Sequence, residues 1–259
     1  MPDPIRTALV TGGGARIGSA IVRDLAAHGW AVAIHANSST RNAGAEAARI
    51  NGDGGRAAVI QADLAHLDAV RTILPEANDK LGPVTLLVNN AAIFLKDAIG
   101  ELDADIWETQ FAVNLRAPLF LAQAFAAQLP DDEDGNIVNM IDHRVWKLRP
   151  DMTSYTLAKS ALWTATRALA QALAPQIRVN GIGPGPVLPN QNEGEAGFAA
   201  EIDGTLLKRQ VDLDDFGRAI RFLVETRSMT GQMLALDSGQ HLAWRTPNII
   251  SSQGPDPNR

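Results

Sequence analysis

The stretch RTALVTGGGARIG, residues 6–18, decides the fold because it passes from a strand through a glycine-rich turn into a helix. Residues 6–11 form a short β-branched run, which predicts a buried strand. From Ala15 to His28 apolar residues recur at helical spacing, and Gly29 predicts the end of that helix. Glycines in such a turn let backbone N–H groups and the positive helix end approach a phosphate. The turn therefore predicts a dinucleotide site, with a ligand-free glycine loop as the open alternative.

The alternation of strand and helix continues along the chain. Strands are predicted at 6–11, 30–36, 56–62, 84–89, 136–141, 177–182 and 232–236. Helices are predicted at 15–28, 40–51, 66–81, 105–129, 154–173 and 213–225, with Pro118 early in a helix or at a break between two helices. This order predicts an α/β protein with a doubly wound parallel sheet of about seven strands and helices on both faces.

The domain organisation follows from the absence of an internal linker. We expect a single domain over residues 1–245 and a C-terminal tail at 246–259. The stretch 184–204 is polar and has no predicted helix or strand. Its part 189–203 is expected to be a mobile lid over the substrate, and a plain surface loop is the alternative.

Composition excludes several classes of function. The chain has no cysteine, so disulfides, cysteine-bound metals and thiol catalysis are excluded. Its five histidines show no ligand spacing, and no metal is predicted. A net charge of −6 disfavours nucleic-acid binding. With no leader-like start and no apolar run that could span a membrane, a cytoplasmic protein without membrane contact is the expectation.

Residues at the end of the second strand indicate which dinucleotide binds. The stretch HANSSTR, 35–41, lacks the carboxylate that would hold the ribose hydroxyl of NAD, and its hydroxyls and arginine suit the 2′-phosphate of NADP. We therefore predict NADPH as the cofactor, held here by His35, Asn37, Ser38 and Ser39. In part the same stretch also suits a polar loop that caps the next helix.

Two later strand ends add residues to the predicted cofactor site. Asp63 could accept a hydrogen bond from the adenine amino group or cap the helix that follows, and Leu64 beside it is assigned to the same site. Asn90 and Ala91, in the run NNAA at 89–92, would let a ribose approach because small residues leave room.

The single tyrosine of the chain stands four residues before a lysine. Tyr155 and Lys159 therefore share one face of the predicted helix. A nearby ammonium and a cationic nicotinamide would favour the phenolate and bring the phenol into use near neutral pH. A surface pair without chemistry is the alternative for an isolated pair of this kind.

Together these features resemble the short-chain dehydrogenase/reductase family. The resemblance extends from Thr11 to about Trp244 and rests on TGGGARIG, Asp63, NNAA, Asn114, Tyr155 with Lys159, and Pro184-Gly185. It implies a Rossmann-type fold and hydride transfer at the nicotinamide. It makes Tyr155 the proton donor, Lys159 its partner and ribose anchor, and Asn114 the holder of a water link to Lys159. The other implied cofactor residues are Gly12, Arg16 and Ile17 in the glycine turn and Pro184 and Gly185 beside the nicotinamide.

Departures from the usual family pattern point to its pteridine reductase branch. Asp142 stands where the family has a serine, thirteen residues before Tyr155, and Arg16 replaces a motif glycine. An ionised aspartate accepts hydrogen bonds but cannot donate to a carbonyl, so a substrate with N–H groups suits it better. In that branch Phe94 would be the stacking platform for a pterin, and Arg16 a partner of substrate or phosphate. Asp142, Tyr155, Phe94 and Arg16 form the implied substrate site.

Asp142 also has a consequence for proton transfer. An ionised Asp142 beside Tyr155 raises the pKa of the phenol, and the two groups titrate together. Each departure has a simpler alternative: Phe94 in the core, Arg16 paired with a surface acid, or Asp142 in a member that has lost catalysis.

The sequence thus predicts an NADPH-dependent reductase that acts on a C=N bond of a dihydropterin. A short-chain reductase of another carbonyl or imine and a non-catalytic NADP-binding regulatory protein are the alternatives. The stretch DSGQHLAW, 237–244, is similar to the family's C-terminal end, which packs between subunits. The resemblance therefore implies a homotetramer, in which Trp244 or Arg245 could reach a neighbouring site.

Overall fold

The computed structural model describes residues 6–189 and 194–244, and in these residues seven strands form one sheet. The strands are β1 Thr7–Val10, β2 Ala31–Ala36, β3 Ala57–Gln61, β4 Val84–Asn89, β5 Gly135–Met140, β6 Ile177–Pro184 and β7 Met233–Leu236. Their order is β3-β2-β1-β4-β5-β6-β7, and all neighbouring strands are parallel. The predicted α/β class and the doubly wound, Rossmann-type sheet are confirmed.

Helices cover both faces of this sheet. In the described residues they are α1 Arg16–Ala27, α2 Thr40–Gly52, α3 Leu67–Leu81, α4 Ala104–Phe111, α5 Ala117–Gln128, α6 Thr153–Ala172, α7 Gly194–Asp203 and α8 Asp214–Glu225. A π-helical turn, Ala112–Arg116, joins α4 to α5, and short 3₁₀ turns lie at His143–Val145 and Gln240–Leu242. None of the helices described is long and apolar enough to cross a bilayer.

The core consists of two apolar layers, one on each face of the sheet. On one face Ile21 of α1 and Phe216 of α8 pack against the strands. On the other face Ile73 of α3 and Phe125 of α5 do the same. Because the central strands are covered on both faces, their residues are nearly all buried and mostly apolar, and polar residues do not alternate with apolar ones.

The strand order reverses between β1 and β4, which lie side by side. Helix α1 leaves β1 toward one face, and the chain after β4 leads to the other face. In open parallel sheets such a reversal opens a crevice beyond the carboxyl ends of the strands, where ligands bind. The glycine turn after β1 and the NNAA run after β4 border this crevice.

Two segments differ from the prediction. The stretch 184–204 was predicted to lack regular structure, but Gly194–Asp203 is helix α7. The buried side chain of Phe198 anchors this helix. A single aromatic residue in a polar segment does not indicate a helix, so the sequence did not predict it. The rest of the predicted lid, 190–193, and the tail at 246–259 lie outside the described residues.

The long helix predicted at 105–129 is divided in two. The π-helical turn separates α4 from α5, and Pro118 stands in the first turn of α5, where a missing N–H is tolerated. Both alternatives for Pro118 are therefore correct, because it stands early in a helix and next to the break between two helices. Asn114 lies inside the π-helical turn, a type of irregularity that is frequent at functional sites.

The side chain of Arg178 on β6 caps the C-terminal end of α8. Its guanidinium donates at 2.7–3.0 Å to the main-chain oxygens of Leu223, Val224, Thr226 and Met229. Arg178→Met keeps the aliphatic stem but removes the guanidinium donors of all four oxygens. Thr226 O still accepts from Met229 N, and Met229 O still accepts from the Asn180 amide. We expect the free energy of unfolding to fall by about 2–4 kcal/mol in denaturant titrations.

A matched surface variant controls for the loss of an arginine. Arg71 pairs with the exposed Asp68 on α3. Arg71→Met should stay within about 0.5 kcal/mol of the wild type. Equal losses in the two variants would contradict the capping role of Arg178.

Candidate active site

The glycine turn is so tight that side chains would not fit in it. Gly12 has a φ of +62°, which favours glycine. A Cβ on Gly18 would lie 2.1 Å from the main-chain oxygen of Gly12, and a Cβ on Gly12 would lie 3.0 Å from Cα of Ala91. The turn therefore packs directly on the first turn of α1 and on the residues after β4. Such a bare backbone suits the close approach of a pyrophosphate.

Thr11 and Asn90 fasten the turn to the end of β4. The Thr11 Oγ1 accepts from the backbone N–H groups of Asn90 and Ala91, at 2.9 and 3.0 Å. The Asn90 amide donates to the Thr11 carbonyl at 2.8 Å. Asn90 thus holds the turn in place. It also lines the crevice, as its predicted role beside the cofactor ribose requires. Thr11 was missed as a functional residue, although a hydroxyl at the end of β1 is a visible signal.

His35 supports the same turn from below. Its Nδ1 accepts from the Gly12 N–H at 3.2 Å, and its Nε2 lies 3.1 Å from the Ala62 carbonyl. Burial lowers the pKa of His35, so the ring is neutral, with Nδ1 as acceptor and Nε2 as donor. Both ring nitrogens are therefore used within the protein. His35 shapes the cofactor site and has no free nitrogen for a phosphate.

A large cleft begins at the glycine turn and has a cavity volume of about 550 Å³. The predicted cofactor residues that line it are Gly12, Arg16, Ile17, His35, Asn37, Ser38, Ser39, Asp63, Leu64, Asn90 and Ala91. Asp63 is the single carboxylate of this lining, and it lies beyond β3, away from the stretch 37–39 after β2. The lining thus fits a dinucleotide whose ribose carries a 2′-phosphate next to residues 37–39.

Asp63 orders the turn before α3 but does not cap that helix, whose N-cap residue His66 has no side-chain cap hydrogen bond. Its Oδ1 accepts from the backbone N–H of Ala65 at 2.9 Å, just before α3. A contact with adenine stays a prediction.

A smaller cavity of about 230 Å³ adjoins the cleft. Its lining includes the predicted Arg16, Phe94, Asp142, Tyr155, Lys159, Pro184 and Gly185. The Tyr155 hydroxyl donates to Oδ2 of Asp142 at 2.9 Å. The rings of Phe94 and Tyr155 meet edge to face, with centroids 4.7 Å apart. The structure thus brings together the predicted proton donor, its acidic partner and the predicted platform.

Phe94 lines the cavity and belongs to neither core layer. It is half-buried, in the loop after β4. The alternative that it is a core residue is therefore wrong.

Asp142 is held by several neighbours at the end of β5. Its Oδ1 accepts from the backbone N–H of Arg144 at 2.8 Å and lies 3.2 Å from Nδ1 of His143. The same His143 nitrogen lies 3.1 Å from the Pro184 carbonyl. One oxygen of Asp142 therefore orders the local turn and the other is left for Tyr155. These fixed positions of both carboxylate oxygens favour Asp142 as a functional partner of Tyr155 over the alternative of a member that has lost catalysis.

The ionisable pair has strongly shifted pKa values. Burial first, and then the charge and hydrogen bond of Asp142, raise the pKa of Tyr155 well above its ordinary value, while Arg144 offsets part of this. Lys159 is not among the groups that shift the pKa of Tyr155 here, whereas the expected effect of Asp142 is found. The combined effect of Lys159 and a cationic nicotinamide on the phenol stays a prediction. Lys159 is 2 % exposed and donates to the Met140 carbonyl at 2.7 Å. Burial lowers the pKa of Lys159 to about 8, with Asp142 acting in the opposite direction.

Asn114 and Arg16 contact main-chain groups. The Asn114 amide accepts from Ile93 N and donates to Ile93 O, both at 3.0 Å, so it fixes the loop that carries Phe94. Its water link to Lys159 stays a prediction. Arg16 donates to the carbonyls of Leu188 and Pro189 at 3.1 and 3.0 Å. Its partners are thus main-chain oxygens and not a surface acid, and a contact with substrate or phosphate stays a prediction.

Three further ionisable residues of the smaller cavity were missed. His143 and Arg144 follow Asp142, and Glu201 of α7 accepts from Gln240 at 2.9 Å. The proximity of His143 and Arg144 to Asp142 was a possible signal. Nothing in the local sequence places Glu201 at the cavity, because α7 comes from a distant part of the chain.

Fold and site together define a nucleotide-dependent oxidoreductase. The chain belongs to the short-chain dehydrogenase/reductase family, since a family model described as enoyl-(acyl carrier protein) reductase matches residues 14–241. The alternative of a non-catalytic protein has no support among the named relatives below.

Particular relatives narrow the class. The chain is similar to a crystal structure of FolM alternative dihydrofolate reductase 1 from Brucella canis with NADP, at 53% identity and a TM-score of 0.92, covering 95% of this chain and 97% of that one. It is 32% identical to pteridine reductase 1 of Leishmania tarentolae, covering 91% of this chain and 96% of that protein. A probable galactose dehydrogenase of Rhizobium meliloti is 36% identical, covering 90% and 94%. The resemblance to the pteridine reductase branch is confirmed, and the predicted NADP-type cofactor agrees with the solved structure.

Proposed function

We propose that this protein is an NADPH-dependent reductase of dihydropterins that acts on a C=N bond of the pterin ring. The observation that carries the proposal is the 2.9 Å hydrogen bond from Tyr155 to Asp142, beside the half-buried ring of Phe94. An aromatic ring offers a flat heterocycle a stacking surface. The carboxylate accepts from N–H groups, which a pterin has and a simple ketone lacks.

NADPH is the cofactor that fits the cleft best. The bare glycine turn accommodates a pyrophosphate, and the wall at 37–39 offers an amide and two hydroxyls without a carboxylate. We expect a lower Kd for NADPH than for NADH. Tighter binding of NADH in fluorescence titrations would contradict this assignment.

Tyr155 supplies the proton in the proposed reaction. Bound NADPH provides a hydride for the carbon of the C=N bond. The raised pKa of Tyr155 keeps the phenol protonated, so the group is ready to donate to the ring nitrogen. A phenolate beside Asp142 would place two negative charges next to each other, which is unfavourable. Asp142 is therefore the group that passes a replacement proton from water to Tyr155 as the first proton leaves.

Lys159 has a separate task near the cofactor. Its ammonium lies 5.8 Å from the centre of the Tyr155 ring and lines the smaller cavity next to Pro184 and Gly185. From there a charged Lys159 would hold ribose hydroxyls and offset the negative charge of the pair formed by Asp142 and Tyr155.

Two of the three relatives described above support the same substrate class. FolM alternative dihydrofolate reductase 1 and pteridine reductase 1 are named for pterin-type substrates. Their similarity to this chain covers more than nine-tenths of its length.

A substrate panel tests the proposal directly. Oxidation of NADPH should be fast with 7,8-dihydropterins and dihydrofolate and slow with simple ketones and sugars. Asp142→Ser should lower activity on dihydropterins more than activity on ketones, because serine restores a donor for carbonyls and removes the acceptor for N–H groups. The opposite order, or no turnover with any dihydropterin, would reject the assignment.

The rate should depend on the charge of Lys159. Its pKa of about 8 means that the ammonium is present below that pH and is lost as the pH rises through it. We therefore expect both activity and NADPH binding to decline above about pH 8. Because Asp142 raises the pKa of Lys159, Asp142→Asn should move the decline in NADPH binding to lower pH. An alkaline limb that the substitution leaves in place would contradict this assignment.

A homotetramer in the cytoplasm completes the proposal. Trp146 and Leu148, in the segment between β5 and α6, and Leu242 and Trp244, near the end of the described residues, are exposed apolar residues. The rings of Trp146 and His241 are 5.0 Å apart, so two of these segments meet on the surface. Apolar patches of this kind favour subunit contacts. A monomer in light scattering would contradict the tetramer. Arg245, which was expected to be able to reach a neighbouring site, lies outside the described residues.

A further inference from the structure

A buried arginine forms part of the wall of the smaller cavity. Arg144 is 4 % exposed and lies in the 3₁₀ turn after Asp142. It lines the cavity together with Phe94 and Tyr155. Its backbone N–H is fixed by Asp142, so the start of the side chain is held firmly. A guanidinium is always charged, and a buried charge is unfavourable unless partners satisfy it.

The partners of Arg144 within the protein are few. Its Cζ lies 5.4 Å from the centre of the Phe94 ring, a cation–π contact. Its Nη1 donates to Asp151 at 3.3 Å, which is a long bond. Asp151 is shared with Arg149, whose bonds to it are shorter, at 3.1 and 2.8 Å. In the part of the chain that the structure describes, no other hydrogen bond involves the Arg144 guanidinium, although it has five N–H donors.

The other cations at this cavity are used elsewhere. Arg16 donates to the carbonyls of Leu188 and Pro189, and Lys159 donates to Met140. Among the described residues, Arg16 and Lys159 thus each have main-chain acceptors at 2.7–3.1 Å, whereas the Arg144 guanidinium has one long bond to a carboxylate that it shares with Arg149. That guanidinium is next to Phe94, the residue on which the ring is proposed to stack.

We propose that Arg144 is a specificity-determining residue that donates hydrogen bonds to an oxygen carried by the substrate ring. The proposal rests on the proposed function, in which the oxygen is the 4-oxo group of a pterin. An arginine has donors and no acceptor, so it binds a ring oxygen and repels an amino group at the same position. The site should therefore discriminate 4-oxo from 4-amino rings by roughly 10- to 100-fold in Kd, the effect of a hydrogen bond from a charged donor.

The test measures binding of two rings to the NADP⁺ complex, in which no turnover occurs. Pterin carries the 4-oxo group, and 2,4-diaminopteridine carries an amino group in its place. Calorimetry should show that the wild type prefers pterin. In Arg144→Gln the preference should fall by roughly 10- to 100-fold, with NADP⁺ binding retained. Arg144→Lys keeps the charge without the fork and should lie between the two.

Arg149→Gln is the matched control. Arg149 also pairs with Asp151 but does not line the cavity, so its loss should leave the preference unchanged. An equal loss in Arg149→Gln, or a full preference for pterin in Arg144→Gln, would overturn the inference. If Arg144→Gln does not fold, an unchanged preference in Arg144→Lys would overturn it as well. Failure of the wild type to bind either ring would instead reject the pterin assignment on which the inference rests.

Discussion

Replacing Tyr155 with phenylalanine should lower kcat about 100- to 10,000-fold, the usual contribution of a positioned general acid. The hydroxyl donates to Asp142 at 2.9 Å and faces the cavity that Phe94 also lines, so its loss removes the proposed proton donor from the substrate ring. The cleft for the cofactor is formed by other residues, and the Kd for NADPH should stay close to that of the wild type. Near-normal turnover on a dihydropterin would exclude Tyr155 as the donor.

The phenol can also be observed without an activity assay. Tyr155 is the one tyrosine of the chain, so the absorbance of tyrosinate reports on this group alone. In the wild type the signal should appear only well above pH 10, because burial and Asp142 raise the pKa of Tyr155. Asp142→Asn removes the negative charge and should move the titration to lower pH. A titration that is the same in both proteins would show that Asp142 does not act on the phenol.

A methyl group on Gly18 should abolish useful binding of NADPH. Its Cβ would lie 2.1 Å from the Gly12 carbonyl oxygen, a backbone atom that can move only if the glycine turn opens. Overpacking against a backbone atom should cost roughly 3 kcal/mol or more. If the opened turn loses that much of its fit to the pyrophosphate, the Kd for NADPH rises about 100-fold or more.

Gly44→Ala is the control for this substitution. Gly44 lies inside α2, and a Cβ there would meet no atom within 4 Å. Alanine is the better helix former, so the free energy of unfolding should rise by about 0.5–1 kcal/mol and the Kd for NADPH should not change. Normal NADPH binding by Gly18→Ala would mean that the turn does not form the pyrophosphate site.

The sequence predicted the sheet well because each strand is a short apolar run between glycines, helices or polar turns. It failed at α7, where Phe198 is the single buried residue and the periodic signal is correspondingly weak. The π-helical turn at Asn114 was also missed. One extra residue in a single turn leaves the composition and the helical spacing of apolar residues nearly unchanged, so the sequence carries no clear signal of it.

The candidate site was predictable where its residues belong to contiguous motifs. The glycine turn, the stretch after β2 and the pair Tyr155 and Lys159 were found in this way, and all line the two adjoining cavities. Glu201 was not found, because its place at the cavity depends on where α7, a distant part of the chain, packs. Arg144 was not found although it stands two residues after Asp142. The raised pKa of Tyr155 likewise depends on burial, which spacing along the chain does not report.

The two oxygens of Asp142 have different partners, and this limits how such enzymes can diverge. Oδ2 accepts from Tyr155, while Oδ1 orders the turn that carries His143 and Arg144. Serine has one oxygen and could replace only one of these roles. An evolutionary or engineered change toward ketone chemistry would therefore have to exchange residues 142–144 as a block, and intermediates changed at one position should be poor catalysts for either substrate class.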